Sequence, residues 1–200
     1  MNQSPIEYLD KIAPQTQKRP LFELNMRTIL LLAGAAIVVV IIIAVISSSF
    51  GGKKAEPWQR LSLRLTNTGK IADTATKAIK NSQLRSLNSE VKIYITDTQR
   101  DLAKPFAAVG VNPKKMPTGL FMNESTLNTE MTTRLESARL NAKFDSTYAR
   151  EMSYQLSTIL AMYEEIYTQS GPETKKIVTN AYENLVPTQK AIAEFNATTE

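Results

Sequence analysis

Residues 58–79, WQRLSLRLTNTGKIADTATKAI, carry the most regular helical pattern in this 200-residue chain. Small and apolar residues recur there at alternating spacings of three and four, which places them on one face of an α-helix. A helix with one apolar face needs partner helices against which that face is buried. The stretch therefore predicts a helix that Pro57 opens and that belongs to a bundle. The residues on its inward face are Trp58, Leu61, Leu65, Thr68, Ala72, Ala75 and Ile79.

Four more helices are predicted downstream from the same spacing. An interruption at 81–82 and a long loop at 111–119 separate the first three helices of the domain. Asp145 is expected to cap the fourth helix, and Pro187 is expected to kink the fifth. The four apolar faces are, in chain order, Leu84, Leu87, Val91, Tyr94, Thr98 and Leu102; Leu127, Met131, Leu135, Ala138 and Ala142; Tyr148, Met152, Ile159, Met162, Tyr163 and Ile166; and Ile177, Ala181, Leu185, Thr188, Ile192 and Phe195.

Strict alternation of apolar and polar residues, the pattern of a strand, extends nowhere far enough to predict a sheet. The predicted fold class is therefore all-α. Short connections favour antiparallel neighbours, so residues 57–200 are expected to form an antiparallel four- to five-helix bundle. The fourth helix has a wide apolar face and is expected to lie at the centre.

Upstream of the bundle, residues 29–46 are eighteen consecutive Ile, Leu, Val, Ala or Gly. At 1.5 Å per residue, this run and its flanks cover the hydrocarbon core of a bilayer, which is about 30 Å thick. The sequence therefore predicts one transmembrane helix over 28–48, followed by a linker over 49–56. A cleaved signal peptide is the alternative, but it would have a shorter apolar region ending at a small-x-small site.

The N-terminal tail, residues 1–27, contains the capping-box sequence Ser4-Pro5-Ile6-Glu7. The short helix that it starts places Ile6, Leu9 and Ile12 on one face, for docking on a protein partner or on the membrane surface. A disordered tail is the alternative. Basic residues flank the predicted span about equally, so they do not choose its direction. We expect a single-pass protein of the cell membrane with a cytoplasmic tail and an extracytoplasmic bundle.

The chain has no cysteine and no histidine. This composition excludes disulfides, thiolate nucleophiles, imidazole metal sites and Ser-His-Asp triads. Carboxylate, lysine and tyrosine chemistry remain, and each needs a pocket that the sequence does not reveal. No catalytic residue, cofactor or metal site is predicted.

Positive charge is concentrated in the first half of the predicted bundle. Residues 53–118 hold thirteen Lys or Arg and five Asp or Glu, a net charge of +8, whereas residues 119–200 hold seven and eleven, a net charge of −4. We favour a solvated helix face as the explanation, and the alternative is contact with anionic lipid headgroups, wall polymer or nucleic acid. No nucleic acid is expected as a partner, because no binding motif or interleaved aromatic residues are present. The candidates for anionic-surface contact are Arg60, Arg64, Lys70, Lys77 and Lys80.

Two further sets of residues on the last helices have a purely structural interpretation and a functional one. The spacing of three tyrosines, Tyr148, Tyr163 and Tyr167, fits either a ligand box or ordinary core packing, and we favour core packing. Four glutamates supply enough oxygen ligands for a metal, but we favour ordinary solvated faces as their explanation. These glutamates are Glu164, Glu165, Glu183 and Glu194.

Three sequence features, together with the order of helices over residues 60–197, resemble a bacterial ferritin-like family of unknown function whose members are often labelled outer membrane proteins. The features are Phe144-Asp145-x-x-Tyr148-x-x-x-Met152, Asp97, and Leu185-Val186-Pro187. In that family an Asp-His pair closes the second helix, and another histidine follows the Phe-Asp motif. Here Thr98 follows Asp97, and Gln155-Leu156 occupy the region of the second histidine. The resemblance thus implies a ferritin-like bundle that has lost the family histidines.

These features together predict a membrane-anchored helical bundle without enzymatic activity, which acts as an interaction or envelope-structural module. Its expected partners are the lipid bilayer and a protein that docks on the bundle or on the tail. One alternative is a bundle that senses or carries a small ligand in a pocket between helices. The other is a degenerate ferritin-like metalloprotein.

Overall fold

The computed structural model describes residues 55–199, with side chains as far as Phe195. These residues belong to one compact unit, Ser47–Glu200. No helix within this described range is long and apolar enough to cross a membrane. Two predictions lie outside the described residues: the transmembrane helix over 28–48, and the tail face of Ile6, Leu9 and Ile12.

Between residues 55 and 199 the chain forms six α-helices and no strand, which confirms the all-α fold class for this part. The five predicted helices are present, and one short helix follows the second of them. The helices are α1 (55–75), α2 (Ser82–Asp101), α3 (Ala103–Ala108), α4 (Thr118–Leu140), α5 (Phe144–Gln169) and α6 (Pro172–Thr199).

Three local predictions need correction. Ala55 and Glu56 are already helical, so Pro57 does not open α1 and the linker ends before residue 55. Ala142 does not lie on the face of α4, because α4 ends at Leu140 and Ala142 adopts a left-handed conformation with φ of 55°. Ile79 does not belong to the first helix, because α1 ends at residue 75. Helix α6 continues through Pro187 to Thr199, and the kink expected at Pro187 stays a prediction.

The first two long helices run antiparallel. Every position predicted to face inward on the first helix is buried, from Trp58 in α1 to Ile79 in the turn after it. The amide of Asn88 in α2 donates to the carbonyl oxygen of Ala72 at 2.9 Å, and Gln99 Nε2 donates to Thr66 Oγ1 at 3.1 Å. Later residues of α2 thus meet earlier residues of α1, as the short connection predicts.

Helix α5 occupies the centre of the bundle, as its wide apolar face predicts. Twelve of its residues are buried, more than in any other helix over residues 55–195. It packs most extensively against α6, which follows it after a tight turn at Gly171. Helix α6 packs in turn against α2, so α2, α5 and α6 enclose one continuous core with α1.

Helix α4 is less buried, and its inward face differs from the prediction. The buried residues are Glu124, Met131, Leu135 and Ala138, at the spacing of one helical face. Leu127, predicted to point inward, is 39% exposed. The prediction failed there because a charged residue, Glu124, takes the inward position in the first half of α4.

Asp145 does not cap α5. That helix begins one residue earlier, at Phe144, and has no side-chain cap. The carboxylate of Asp145 instead accepts hydrogen bonds from the backbone N–H groups of Lys80, at 3.0 Å, and Asn81, at 2.7 Å. Asn81 is itself the N-cap of α2, where its side chain accepts from the N–H of Leu84. Asp145 thus ties the α1–α2 turn to the start of α5.

We expect Asp145→Ala to lower the free energy of unfolding by about 1–2 kcal/mol, because charged hydrogen bonds to otherwise unpaired N–H groups are lost. Urea unfolding of the full chain, followed by fluorescence of Trp58, the single tryptophan, measures the change. Asp97→Ala is the control, since Asp97 only pairs with Arg100 on the surface of α2. Equal effects of the two substitutions would contradict a structural role for Asp145.

Candidate functional sites

The five basic residues predicted to form one anionic-contact surface do not lie together. Arg60 pairs with Glu56 at 3.0 Å, and Lys70 lines a groove of about 150 Å³ between α1 and α4. Lys77 and Lys80 are exposed in the turn after α1, whose last residue lies about 22 Å along the helix axis from Arg60 at 1.5 Å per residue.

Arg64 is buried inside the bundle, so its assignment to that surface is corrected. Its guanidinium donates from Nη2 to Glu124 Oε1 at 2.9 Å and from Nη1 to Gln155 Oε1 at 2.7 Å. The Arg64 and Glu124 side chains are only 8% and 4% exposed. A charge buried to this extent is tolerated only when it is paired and hydrogen-bonded. The cluster of Arg64, Glu124 and Gln155 therefore joins α1, α4 and α5 inside the bundle.

A small polar cavity of about 10 Å³ adjoins this cluster. Three buried atoms that line it have no hydrogen-bond partner among the described residues: Arg64 Nε, Thr68 Oγ1 and Asn128 Oδ1. The volume is close to that of one water-sized sphere, and a buried water commonly makes about three hydrogen bonds. The cavity thus suits a structural water and is too small for an organic ligand.

Both buried carboxylates of residues 55–195 are paired with arginine. Glu124 pairs with Arg64, and Glu151 accepts two hydrogen bonds from Arg134, at 3.0 and 2.9 Å. Arginine thus occupies one oxygen of Glu124 and both oxygens of Glu151. Neither glutamate is therefore placed as a free general base.

Two of the three tyrosines considered for a ligand box belong to the core. Tyr148 is fully buried and donates its hydroxyl to Asn88 Oδ1, whereas Tyr163 is 1% exposed and hydrogen-bonds to Thr98. Burial raises the pKa of both phenols above the ordinary value. Core packing is thus confirmed for these two residues, but Tyr167 is 44% exposed.

Tyr167 lies instead in a groove between α5 and α6 with a volume of about 480 Å³. Tyr182, which the sequence analysis did not single out, faces it from α6 and hydrogen-bonds to Glu164, whose carboxylate raises the pKa of the Tyr182 hydroxyl. Lys175 Nζ lies 4.8 Å from the centroid of the Tyr167 ring. We call this site the tyrosine groove. The residues that line it are Tyr163, Glu164, Tyr167, Thr168, Val178, Thr179, Tyr182 and Glu183.

Of the four glutamates considered for an all-oxygen metal site, Glu164 and Glu183 line the tyrosine groove, and Glu165 and Glu194 do not. No three acidic side chains come close enough to hold a metal ion anywhere in the described range. The positions compared with the family histidines hold Thr98, beside Tyr163, and Gln155, beside Arg64.

A second exposed feature combines positive charge with apolar side chains, and we call it the 104–122 surface. The exposed residues of this segment include Lys104, Lys114, Lys115, Phe121 and Met122, with Phe121 53% and Met122 61% exposed. The segment contains no acidic residue. Its lysines form no ion pair with any other described residue.

The 104–122 surface lies at the end of the bundle where α1 begins. Trp58, near the start of α1, contacts Phe106 of α3 edge to face, with ring centroids 6.0 Å apart. Glu124, within one turn of Met122, meets Arg64 in the first half of α1. This surface could not be predicted from helical spacing, because its lysines lie on a short helix and a loop and not along one predicted helix.

No protein-family model matches this chain, and no curated protein and no solved structure is significantly similar to it. The ferritin-like resemblance therefore stays a prediction. The 104–122 surface and the tyrosine groove are the two exposed features of the described residues on which a function can be proposed.

Proposed function

We propose that this protein is a membrane-anchored, non-enzymatic helical bundle that acts as an interaction module at an anionic membrane surface. The observation that carries the proposal is the 104–122 surface, a segment that exposes both Phe121 and Met122 and three lysines that form no ion pair with another described residue. Lysine near an aromatic or apolar residue is the combination that binds anionic headgroups and the adjoining acyl boundary.

The length of chain before α1 supports the same arrangement. Six residues, 49–54, separate the predicted span over 28–48 from the first described helical residue, Ala55. Fully extended, they reach at most about 22 Å. The end of the bundle that carries the 104–122 surface would then stay close to the headgroups, whichever leaflet it meets.

The absence of enzymatic activity is part of the proposal and rests on the buried carboxylates. Glu124 and Glu151 are both held by arginine, and cysteine and histidine do not occur in the chain. The groups that usually supply nucleophiles and proton carriers are therefore missing or occupied.

The test uses the cysteine-free full chain with the single substitution Met122→Cys, labelled with an environment-sensitive fluorophore and reconstituted in nanodiscs. We expect the emission to shift to the blue when anionic lipid replaces zwitterionic lipid, because the label enters the headgroup region. Changing Lys104, Lys114 and Lys115 to glutamine is expected to weaken docking by about 3 kcal/mol, at about 1 kcal/mol for each lysine near the surface.

The matched control is Leu140→Cys, at the other end of α4, where the native side chain is 81% exposed. Its label should not respond to lipid charge. Failure of the chain to enter nanodiscs would contradict the anchor. Entry without a lipid-dependent shift at position 122, or an equal shift at position 140, would contradict docking through the 104–122 surface.

A further inference from the structure

The tyrosine groove has the wall chemistry of a site for a positively charged ligand. Tyr167 and Tyr182 contribute aromatic rings, and Tyr163 and Val178 form part of its buried base. A volume of about 480 Å³ falls in the range of small-molecule sites. Aromatic faces attract cations through the negative potential of the ring, and quaternary ammonium groups are the best-known ligands of such faces.

The charges of the groove have the complementary sign. Glu164 and Glu183 line it from opposite helices, and neither forms an ion pair with another described residue. Glu164 accepts a hydrogen bond from the Tyr182 hydroxyl, which fixes one carboxylate beside one ring. Acidic and aromatic groups therefore converge on the same space from α5 and α6.

The protein already places a cation on one of these rings. Lys175 Nζ lies 4.8 Å from the centroid of Tyr167, within the distance at which cation–π attraction acts. Lys175 sits in the first turn of α6, where a positive charge is not favoured by the helix dipole. This contact shows that the face of Tyr167 is accessible to an ammonium group.

We infer that the tyrosine groove is a binding site for a small organic ammonium ligand, which takes the face of Tyr167 in place of Lys175 and is neutralised by Glu164 and Glu183. Lys175 then acts as a resident competitor. Removal of its charge and removal of a groove carboxylate must change affinity in opposite directions. General attraction of a cation to the protein surface changes in the same two directions, so an equal charge change outside the groove, at Glu165, is the necessary control.

The experiment measures binding of choline to the full chain in detergent micelles by isothermal titration calorimetry. Its neutral isostere, 3,3-dimethylbutan-1-ol, has the same shape without the charge. We expect choline to bind and the isostere not to bind. Tyr167→Leu is expected to lower the affinity for choline about two- to fivefold, the range of one exposed cation–π contact.

The charge variants carry the decisive comparison. Glu183→Gln is expected to weaken choline binding and Lys175→Gln to strengthen it, each about two- to fivefold. Tyr154→Leu and Glu165→Gln are the controls, since Tyr154 and Glu165 are exposed on α5 outside the groove. All of these side chains except Lys175 are exposed, and circular dichroism checks that each variant keeps its helices.

Three results would overturn the inference. The first is no heat of binding at millimolar choline. The second is equal binding of choline and its neutral isostere, which would indicate apolar contact alone. The third is the same direction of change in Lys175→Gln and Glu183→Gln.

Discussion

Glu124→Ala is expected to lower the free energy of unfolding by about 3–5 kcal/mol, because it leaves the guanidinium of Arg64 buried without its counter-charge. Arg64 is buried in the folded bundle, as its side chain is only 8% exposed. Gln155 can still accept one hydrogen bond, but a neutral amide does not compensate a buried charge. Urea unfolding of the full chain, followed by Trp58 fluorescence, measures the loss.

The control is Glu130→Ala in the same helix. Glu130 is 58% exposed and lies 3.9 Å from Arg134, so its removal should change stability by less than about 0.5 kcal/mol. The double variant Arg64→Met with Glu124→Leu should recover most of the loss, since apolar residues of similar volume often replace a buried ion pair at little cost. A loss below about 1 kcal/mol for Glu124→Ala would show that Arg64 reaches water.

The same pair bears on the proposed function. Glu124 is the only buried residue in the first half of α4, so the Arg64–Glu124 contact holds that half of the helix against the bundle. Phe121 and Met122 project from the preceding turn. We therefore expect Glu124→Ala to loosen the 104–122 surface as well, since few apolar contacts replace the lost ion pair.

The helices could be predicted from the sequence wherever apolar periodicity alone decides the structure. The inward face predicted over residues 58–79 is one example, because all seven of its positions are buried. The periodicity failed where a polar residue serves a tertiary contact. Asp145 had the local pattern of an N-cap but accepts N–H groups from the α1–α2 turn, 64 and 65 residues away in the chain. Nothing in its own helix indicates that partner.

The same distinction between helical periodicity and tertiary contacts decides which residues of the candidate sites could be predicted. Sequence places Arg64 one turn from Arg60 and gives no sign that Glu124, sixty residues later, draws it inward. Tyr163 and Tyr167 were found because they lie four residues apart on one helix. Tyr182 completes the tyrosine groove from the next helix, and the tight turn at Gly171 was the available signal that α5 and α6 would pair. The identity of a ligand has no comparable signal in the sequence.

Asn88→Ala is expected to cost about 2–4 kcal/mol, because Asn88 is fully buried and joins three helices. Its amide donates to Ala72 O in α1 at 2.9 Å and to Thr76 Oγ1 in the turn after α1 at 3.1 Å. Its Oδ1 accepts the hydroxyl of Tyr148 from α5. Without Asn88 that hydroxyl has no partner among the described residues, and a cavity replaces the amide. Urea unfolding of the full chain measures the change.

Tyr148→Phe tests the same contact from the other side and should cost about 1–2 kcal/mol, since it leaves Asn88 Oδ1 without its donor. The double variant should lose less than the sum of the two single losses, whereas strict additivity would mean that the two residues do not interact. Tyr154→Phe, at a tyrosine 67% exposed on the same helix, should leave stability within about 0.5 kcal/mol of the native chain.

Burial raises the pKa of Tyr148 above its ordinary value of 10.0, so the neutral phenol stabilises the fold below pH 10 and that stability is lost as the pH rises further. Tyr148→Phe should therefore lose less stability than the native chain above pH 10, which unfolding measured at two pH values would detect.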